Sequence, residues 1–278
     1  MEASLVGSEM CIRDRHLIEF LIENNFRPIV YDNRDTGLSS RIQNDSFNKD
    51  NVNKTIIRNY IRYYLRLPIK SEYTIDDMAD DGVSVLDHLN IENAHILGIS
   101  MGGMIAQIMA SSYPEKTKTF TLIASTASTP SPFNGPSKDV RRLFIERTKN
   151  VDATIEDRVN RTKKLFKLIG YQGIDLDTQE FSDNVKLSIE RGGVDDTGFG
   201  RQLTAILGSK NRIEKVRSIS APTLIIHGKE DPLIGVKNAY RSNKLIKGSK
   251  LVIIDNMRHL IEPPVFDQFK SDLLAHLK

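Results

Sequence analysis

From His16 onward the apolar positions switch repeatedly between two periods. Leu17, Ile18, Phe20, Leu21 and Ile22 recur as one face of an amphipathic helix that ends near Asn24-Asn25. Pro28-Ile29-Val30-Tyr31 is a short apolar run that reads as a strand, followed by a polar turn over residues 32–40. Thr74-Ile75-Asp76-Asp77 offers a cap and an acidic first turn to an apolar-periodic helix running to Leu89. A strand at 94–99, a helix at 101–112 and a strand at 119–124 follow. Runs at 222–227 and 250–254 read as further strands, and 266–277 as a closing helix. Strands alternating with helices predict an α/β fold: a mostly parallel sheet with helices on both faces.

Between residues 125 and 220 this alternation stops. Pro130, Pro132, Gly135 and Pro136 break the chain, and four charged helical stretches follow at 138–148, 155–169, 178–191 and 199–207. A helical insertion of this size between two sheet strands predicts a cap over the site. The chain then divides into a core (15–125 and 219–278) and a helical cap insertion (126–218).

Composition narrows the class. The 278 residues suffice for one α/β domain with an inserted subdomain. Lys and Arg number 39 against 36 Asp and Glu, a net +3 that gives no reason to expect a polyanionic partner. The densest basic stretch, 54–70, repeats Arg58, Arg62 and Arg66 among Tyr60, Tyr63 and Tyr64. It reads as a helix with one solvated cationic face, so neither nucleic acid nor membrane is expected as a partner. No apolar run approaches the roughly 18 residues of a membrane span. One cysteine, Cys11, excludes an internal disulfide and a multi-cysteine zinc site. No H-E-x-x-H, Walker loop or G-x-G-x-x-G occurs, so neither metal nor cofactor is expected. The sequence leaves the oligomeric state open.

The chemistry begins at Gly98-Ile99-Ser100-Met101-Gly102, a G-x-S-x-G run between an apolar strand and a helix. That is the setting of a nucleophile elbow. Serine at such a turn sits in strained backbone, so its neighbours two residues away must lack bulk; Gly98 and Gly102 meet that need, and Gly103 adds room. The helix behind Ser100 aims its N-terminal dipole and free N–H groups at developing negative charge. A serine hydroxyl also needs a base. Of six histidines, His16, His88 and His276 fall on helices, His95 starts its strand at the far end, and His227 reads as packed. His259 remains, in the loop after the 250–254 strand, where sites of parallel sheets assemble. The carboxylate that fixes its tautomer is assigned to Asp231, after the 222–227 strand, with Glu230 and Asp255 as rivals. No acid occurs between Lys116 and Lys138, which excludes one after the preceding strand.

The order Ser100, Asp231, His259 is that of the α/β-hydrolases. Tyr31-Asp32-Asn33-Arg34-Asp35-Thr36-Gly37-Leu38-Ser39, Tyr73-Thr74-Ile75-Asp76-Asp77-Met78-Ala79 and residues 98–103 resemble α/β-hydrolases related to anthracycline methylesterases. The resemblance covers nearly all of the chain after its first residues. It implies an α/β-hydrolase fold and hydrolysis of a small-molecule carboxylic ester through an acyl-enzyme on Ser100, without cofactor. The Met101 N–H would be one oxyanion donor. A cytoplasmic location is expected. The fold also hosts perhydrolases, C–C hydrolases and non-catalytic binding proteins, which stand as alternatives. Arg258 departs from the pattern, because relatives usually carry glycine before the histidine. A differently set His259 loop is therefore expected.

The N-terminus departs further. Leu5-Val6-Gly7-Ser8-Glu9-Met10-Cys11-Ile12-Arg13-Asp14 resembles one reading frame of a transposase adapter used in DNA library preparation. Residues 1–14 are accordingly read as foreign to the fold, with native N-terminal strands missing. Ser4-Leu5-Val6-Gly7 could fill the place of the lost strand, between the 28–31 and 94–99 strands. In relatives the second oxyanion donor comes from the loop after that strand. Losing such a donor costs on the order of 10²–10³ in turnover.

Overall fold

The computed structural model describes residues 2–7, 15–42, 51–128, 135–149, 153–192, 197–209 and 212–278. Strands β1 (Glu2–Gly7), β2 (Arg27–Asp32), β3 (Ala94–Ile99), β4 (Thr117–Ile123), β5 (Thr223–Gly228) and β6 (Lys250–Ile254) form one sheet in the order β2-β1-β3-β4-β5-β6. Every pairing is parallel. β1 occupies the position anticipated for Ser4–Gly7, with Leu5 opposite Val30 on one side and Leu97 on the other.

The helices are α1 (Arg15–Glu23), α2 (Val52–Tyr64), α3 (Ile75–His88), α4 (Met101–Ser112), α5 (Lys138–Lys149), α6 (Ile155–Ile169), α7 (Gln179–Gly192), α8 (Thr197–Gly208), α9 (Ile213–Arg217), α10 (Lys237–Leu245), α11 (Pro263–Phe266) and α12 (Lys270–Leu277). Strand periodicity divides the core between the two faces of the sheet. Ile96, Phe120, Leu122 and Ile225 pack with α3 and α4, whereas Leu97, Ile123, Leu224 and Ile226 pack with α1 and α12. Strands covered on both faces must be apolar at successive positions, as at Ile96-Leu97 in β3, Leu122-Ile123 in β4 and residues 224–226 in β5.

Local chemistry sets the element ends. Thr74 caps α3 through a reciprocal box with Asp77: the Thr74 hydroxyl accepts from the Asp77 N–H, and the Asp77 carboxylate accepts from the Thr74 N–H. Thr154 and Asp157 repeat the device at α6. Two expectations change. The cationic stretch 54–70 is helical only to Tyr64, since Arg66 turns to φ 56° and the Leu67 N–H closes back on the Arg62 carbonyl. The closing helix starts earlier, at Pro263, and breaks before Lys270 into α11 and α12. Prolines at its first positions start it. Buried Phe266 and Phe269, in edge contact at 5.3 Å, then set a path that periodicity alone does not reveal.

Helices α5 to α8 lie in the chain between β4 and β5. Val140, Phe166, Ile169 and Leu176 share a cluster with Leu260, and Leu233 packs against it. A second tie is ionic. Asp35, in the turn after β2, receives two hydrogen bonds of 2.8 Å from Arg201 of α8, both side chains being buried. Beside it α2 rests on α8, where Val52, Ile56 and Tyr60 meet Leu203 and the Asn59 amide donates to the Thr204 hydroxyl.

Candidate active site

At the carboxyl end of β3 the chain turns sharply into α4, and Ser100 occupies the turn at φ 54°, ψ −118°. An L residue pays for such backbone, so the surroundings must over-determine it. The Ser100 N–H donates to the Ile123 carbonyl (3.0 Å), and the Ser125 hydroxyl donates to the Ser100 carbonyl (2.6 Å). Close packing makes two glycines obligatory. A Cβ on Gly98 would lie 2.4 Å from the Gly102 carbonyl oxygen, and one on Gly103 would lie 2.6 Å from the Ser125 Cβ. Met101 opens α4, where the first N–H groups have no acceptor within the helix.

The structure brings Ser100, His259 and Asp231 into one hydrogen-bonded line. His259 Nε2 lies 3.0 Å from Ser100 Oγ, and His259 Nδ1 lies 2.8 Å from Asp231 Oδ2. A carboxylate only accepts, so Nδ1 carries the proton and Nε2 is left to accept from the serine hydroxyl. His259 and Asp231 are buried. The other Asp231 oxygen, Oδ1, accepts from the N–H groups of Leu233 and Ile234, each at 2.8 Å. Burial by itself would raise the Asp231 pKa. The charge and hydrogen bond of His259, His227 nearby and the Ile234 N–H outweigh it, and the carboxyl is held below its ordinary value.

The rivals are engaged elsewhere. Asp255 pairs with Lys229 and Glu230 faces Arg258, all at the surface side of their loops. His95 meets the Thr119 hydroxyl, His276 donates to the Phe120 carbonyl, His16 packs on Phe266 and His88 ends α3. His227 is packed, as its place in a strand suggests, but it is not remote. Its Nε2–H donates to the Ile234 carbonyl at 2.7 Å and stands 3.5 Å from Asp231 Oδ2. Burial, its largest influence, holds it below the usual histidine range despite Asp231. Neither this contact nor the Ser125 clasp was foreseen in the sequence. Position at a strand's carboxyl end was the available signal for both.

Arg258 anchors the loop that carries His259. Its guanidinium donates to the Leu168 carbonyl at 2.8 Å, in the last turn of α6. The His259 and Leu260 N–H groups donate to the Ile169 carbonyl at 2.8 and 3.3 Å. A cation and two amides thus satisfy carbonyls that the helix end leaves open. The His259 loop is fastened to the inserted helices at this point. The loop expected to carry the second oxyanion donor, between Gly7 and Arg15, lies outside the described residues.

Sheet order, elbow and hydrogen-bonded line together define an α/β-hydrolase. The chain belongs to the alpha/beta hydrolase fold family, whose pattern matches residues 5–261. It is 24% identical to rhodomycin D methylesterase DnrP of Streptomyces peucetius over 276 residues, covering 94% of this chain and 84% of that protein. It is 22% identical to 3-oxoadipate enol-lactonase 1 of Acinetobacter baylyi, over 92% of this chain and 82% of that one. Among solved structures, a meta-cleavage product hydrolase (CumD) of Pseudomonas fluorescens IP01 superposes with a TM-score of 0.70 at 20% identity, covering 99% of this chain and 90% of that one. The esterase EaEST of Exiguobacterium antarcticum gives 0.69 at 17%, covering 100% and 91%. At these identities the structural likeness establishes the shared fold.

Proposed function

We propose that this chain is a serine hydrolase that cleaves a small-molecule carboxylic ester through an acyl-enzyme on Ser100. The observation that carries the reading is the line Ser100 Oγ, His259 Nε2, His259 Nδ1, Asp231 Oδ2, with both links at hydrogen-bond length. Two methylesterases among the relatives, DnrP and the DauP protein of a Streptomyces strain, favour the ester class.

In this reading Ser100 Oγ attacks the ester carbonyl carbon while His259 Nε2 takes the hydroxyl proton. Asp231 stabilises the imidazolium that results. The Met101 N–H, at the start of α4, donates to the tetrahedral oxyanion, assisted by the helix dipole. The C–O bond to the alcohol breaks and His259 returns the proton to the leaving oxygen. Water then attacks the acyl carbon, giving a proton to His259, which passes it to Ser100 Oγ as the acyl C–O bond breaks and the carboxylic acid leaves. Water is the sole co-reactant.

Helices α5 to α8 act as the cap that selects the substrate. Supporting this, Leu233 and Leu260, two residues from Asp231 and one from His259, pack with Val140, Phe166 and Ile169. Hydrolysis of p-nitrophenyl acetate and butyrate tests the reading. Ser100→Ala should lower turnover by about 10³-fold or more, to the background of the binding site. Unchanged turnover in that variant would overturn the assignment.

A further inference from the structure

Helix α2 is amphipathic in an unusual sense, because it is apolar on two sides. Its inner face packs on α8. Its outer face exposes Ile57 (46%), Ile61 (55%) and Leu65 at its end (63%), with Tyr64 beside them (47%). A solvated helix face would carry polar residues at these positions. Exposed Lys54, Arg58 and Arg66 flank the stripe. Residues 51–70 hold five cations and no acid, so the rest of the chain has 34 cations against 36 acids. The whole positive balance of the molecule is gathered on α2 and the few residues that follow it. The basic periodicity was legible in the sequence, but the aliphatic side chains standing out among the cations were not.

We propose that the outer face of α2 docks the protein on the surface of an anionic lipid bilayer. The helix would lie in the plane of the interface, with Ile57, Ile61 and Leu65 entering the acyl boundary and Lys54, Arg58 and Arg66 meeting lipid phosphates. This is peripheral attachment; among the described residues no helix is long and apolar enough to cross a membrane. Charge decides among the possible occupants. A second copy of this chain would set five cations against five. A nucleic acid would satisfy the cations but leave three aliphatic side chains against a polar backbone. An anionic bilayer satisfies both. Because α2 rests on α8, docking brings the inserted helices to the lipid surface. The proposal stands apart from the ester chemistry, since it concerns binding alone.

The test is co-sedimentation of the full chain with sucrose-loaded vesicles of phosphatidylcholine, with and without one-quarter phosphatidylglycerol, at low and high salt. The expected result is partitioning at least tenfold stronger on the anionic vesicles, weakened by salt. Arg58→Glu should lower it about fivefold or more. The triple variant Ile57→Ser, Ile61→Ser, Leu65→Ser should lower it at least tenfold, and Ile61→Trp should strengthen it. Circular dichroism and p-nitrophenyl butyrate turnover serve as controls for folding, since these side chains point to solvent. Equal partitioning of the wild-type and triple variant would overturn the proposal. So would a dimer in analytical ultracentrifugation, or retention on an oligonucleotide, that the triple variant abolishes while vesicle binding stays unaffected.

Discussion

Ser100 carries a backbone strain of about 1–3 kcal/mol, and two neighbours hold it there. The Ile123 carbonyl takes its N–H, and Ser125 clasps its carbonyl. Gly98→Ala would drive a methyl group to 2.4 Å from the Gly102 carbonyl oxygen and 2.7 Å from the Ala106 Cβ. The expected loss is about 1–3 kcal/mol of unfolding free energy in urea, with turnover falling as the elbow shifts. Asp231→Asn keeps the shape but makes the other His259 tautomer the favoured one. Its turnover on p-nitrophenyl butyrate should fall by roughly 10³–10⁴ while the melting temperature moves little. At this scale the sequence spoke through residue type and position: one serine in a glycine-rich turn, one histidine in a strand-end loop, one acid before a proline. Ser125 was hidden because its partner lies 25 residues away along the chain, and the contact of Asp231 with His227, only four residues apart, because it depends on how the turn after β5 folds back.

Elements were legible wherever local chemistry and tertiary packing agree. The strands 94–99 and 250–254 and the helices 101–112 and 155–169 match β3, β6, α4 and α6 in their bounds. Agreement failed at Arg66, where a turn with positive φ ends α2 inside a helical pattern, and at the break before α12, where Phe266 packs on His16 and Phe20 from the far end of the chain. The Asp35–Arg201 pair is a case that no local pattern announces. Asp35 takes φ 68° in the turn after β2 so that its buried carboxylate meets α8, and the Ile42 N–H donates to it as well. Asp35→Ala removes two hydrogen bonds from a buried guanidinium, with Glu72 still facing it at 3.8 Å. The expected cost is about 3–5 kcal/mol, read from denaturant unfolding. The double variant Asp35→Ala, Arg201→Met should lose less than the single one, since it removes the stranded charge.

The parallel sheet with helices on both faces could be anticipated from alternation alone, whereas the place of β1 between β2 and β3, although it comes first in the chain, was expected only from the resemblance to relatives. Acid sensitivity is a property of the whole molecule. Burial, aided by the charges of Lys118 and His276, pushes His95 down to about 4 from 6.5. Burial likewise lowers His227 and His276. Between about pH 6.5 and 4 the unfolded chain holds the His95 proton and the native one does not, so stability rises with pH across that window and is lost on acidification. Below 3.8 the depressed Asp231 adds to the loss. Melting temperatures should therefore fall steadily from pH 7 to 4, and His95→Gln should lessen the slope between about pH 6.5 and 4.

The central claim is that Ser100 is activated by His259 and Asp231, and covalent labelling reads this most directly. A fluorophosphonate, followed by intact-protein and peptide mass spectrometry, should add one phosphonyl group, at Ser100, with loss of fluoride. Ser100→Ala should take up none, and Asp231→Asn should react more slowly by orders of magnitude. A wild-type protein that stays unlabelled, or that is labelled at another serine, would contradict the account.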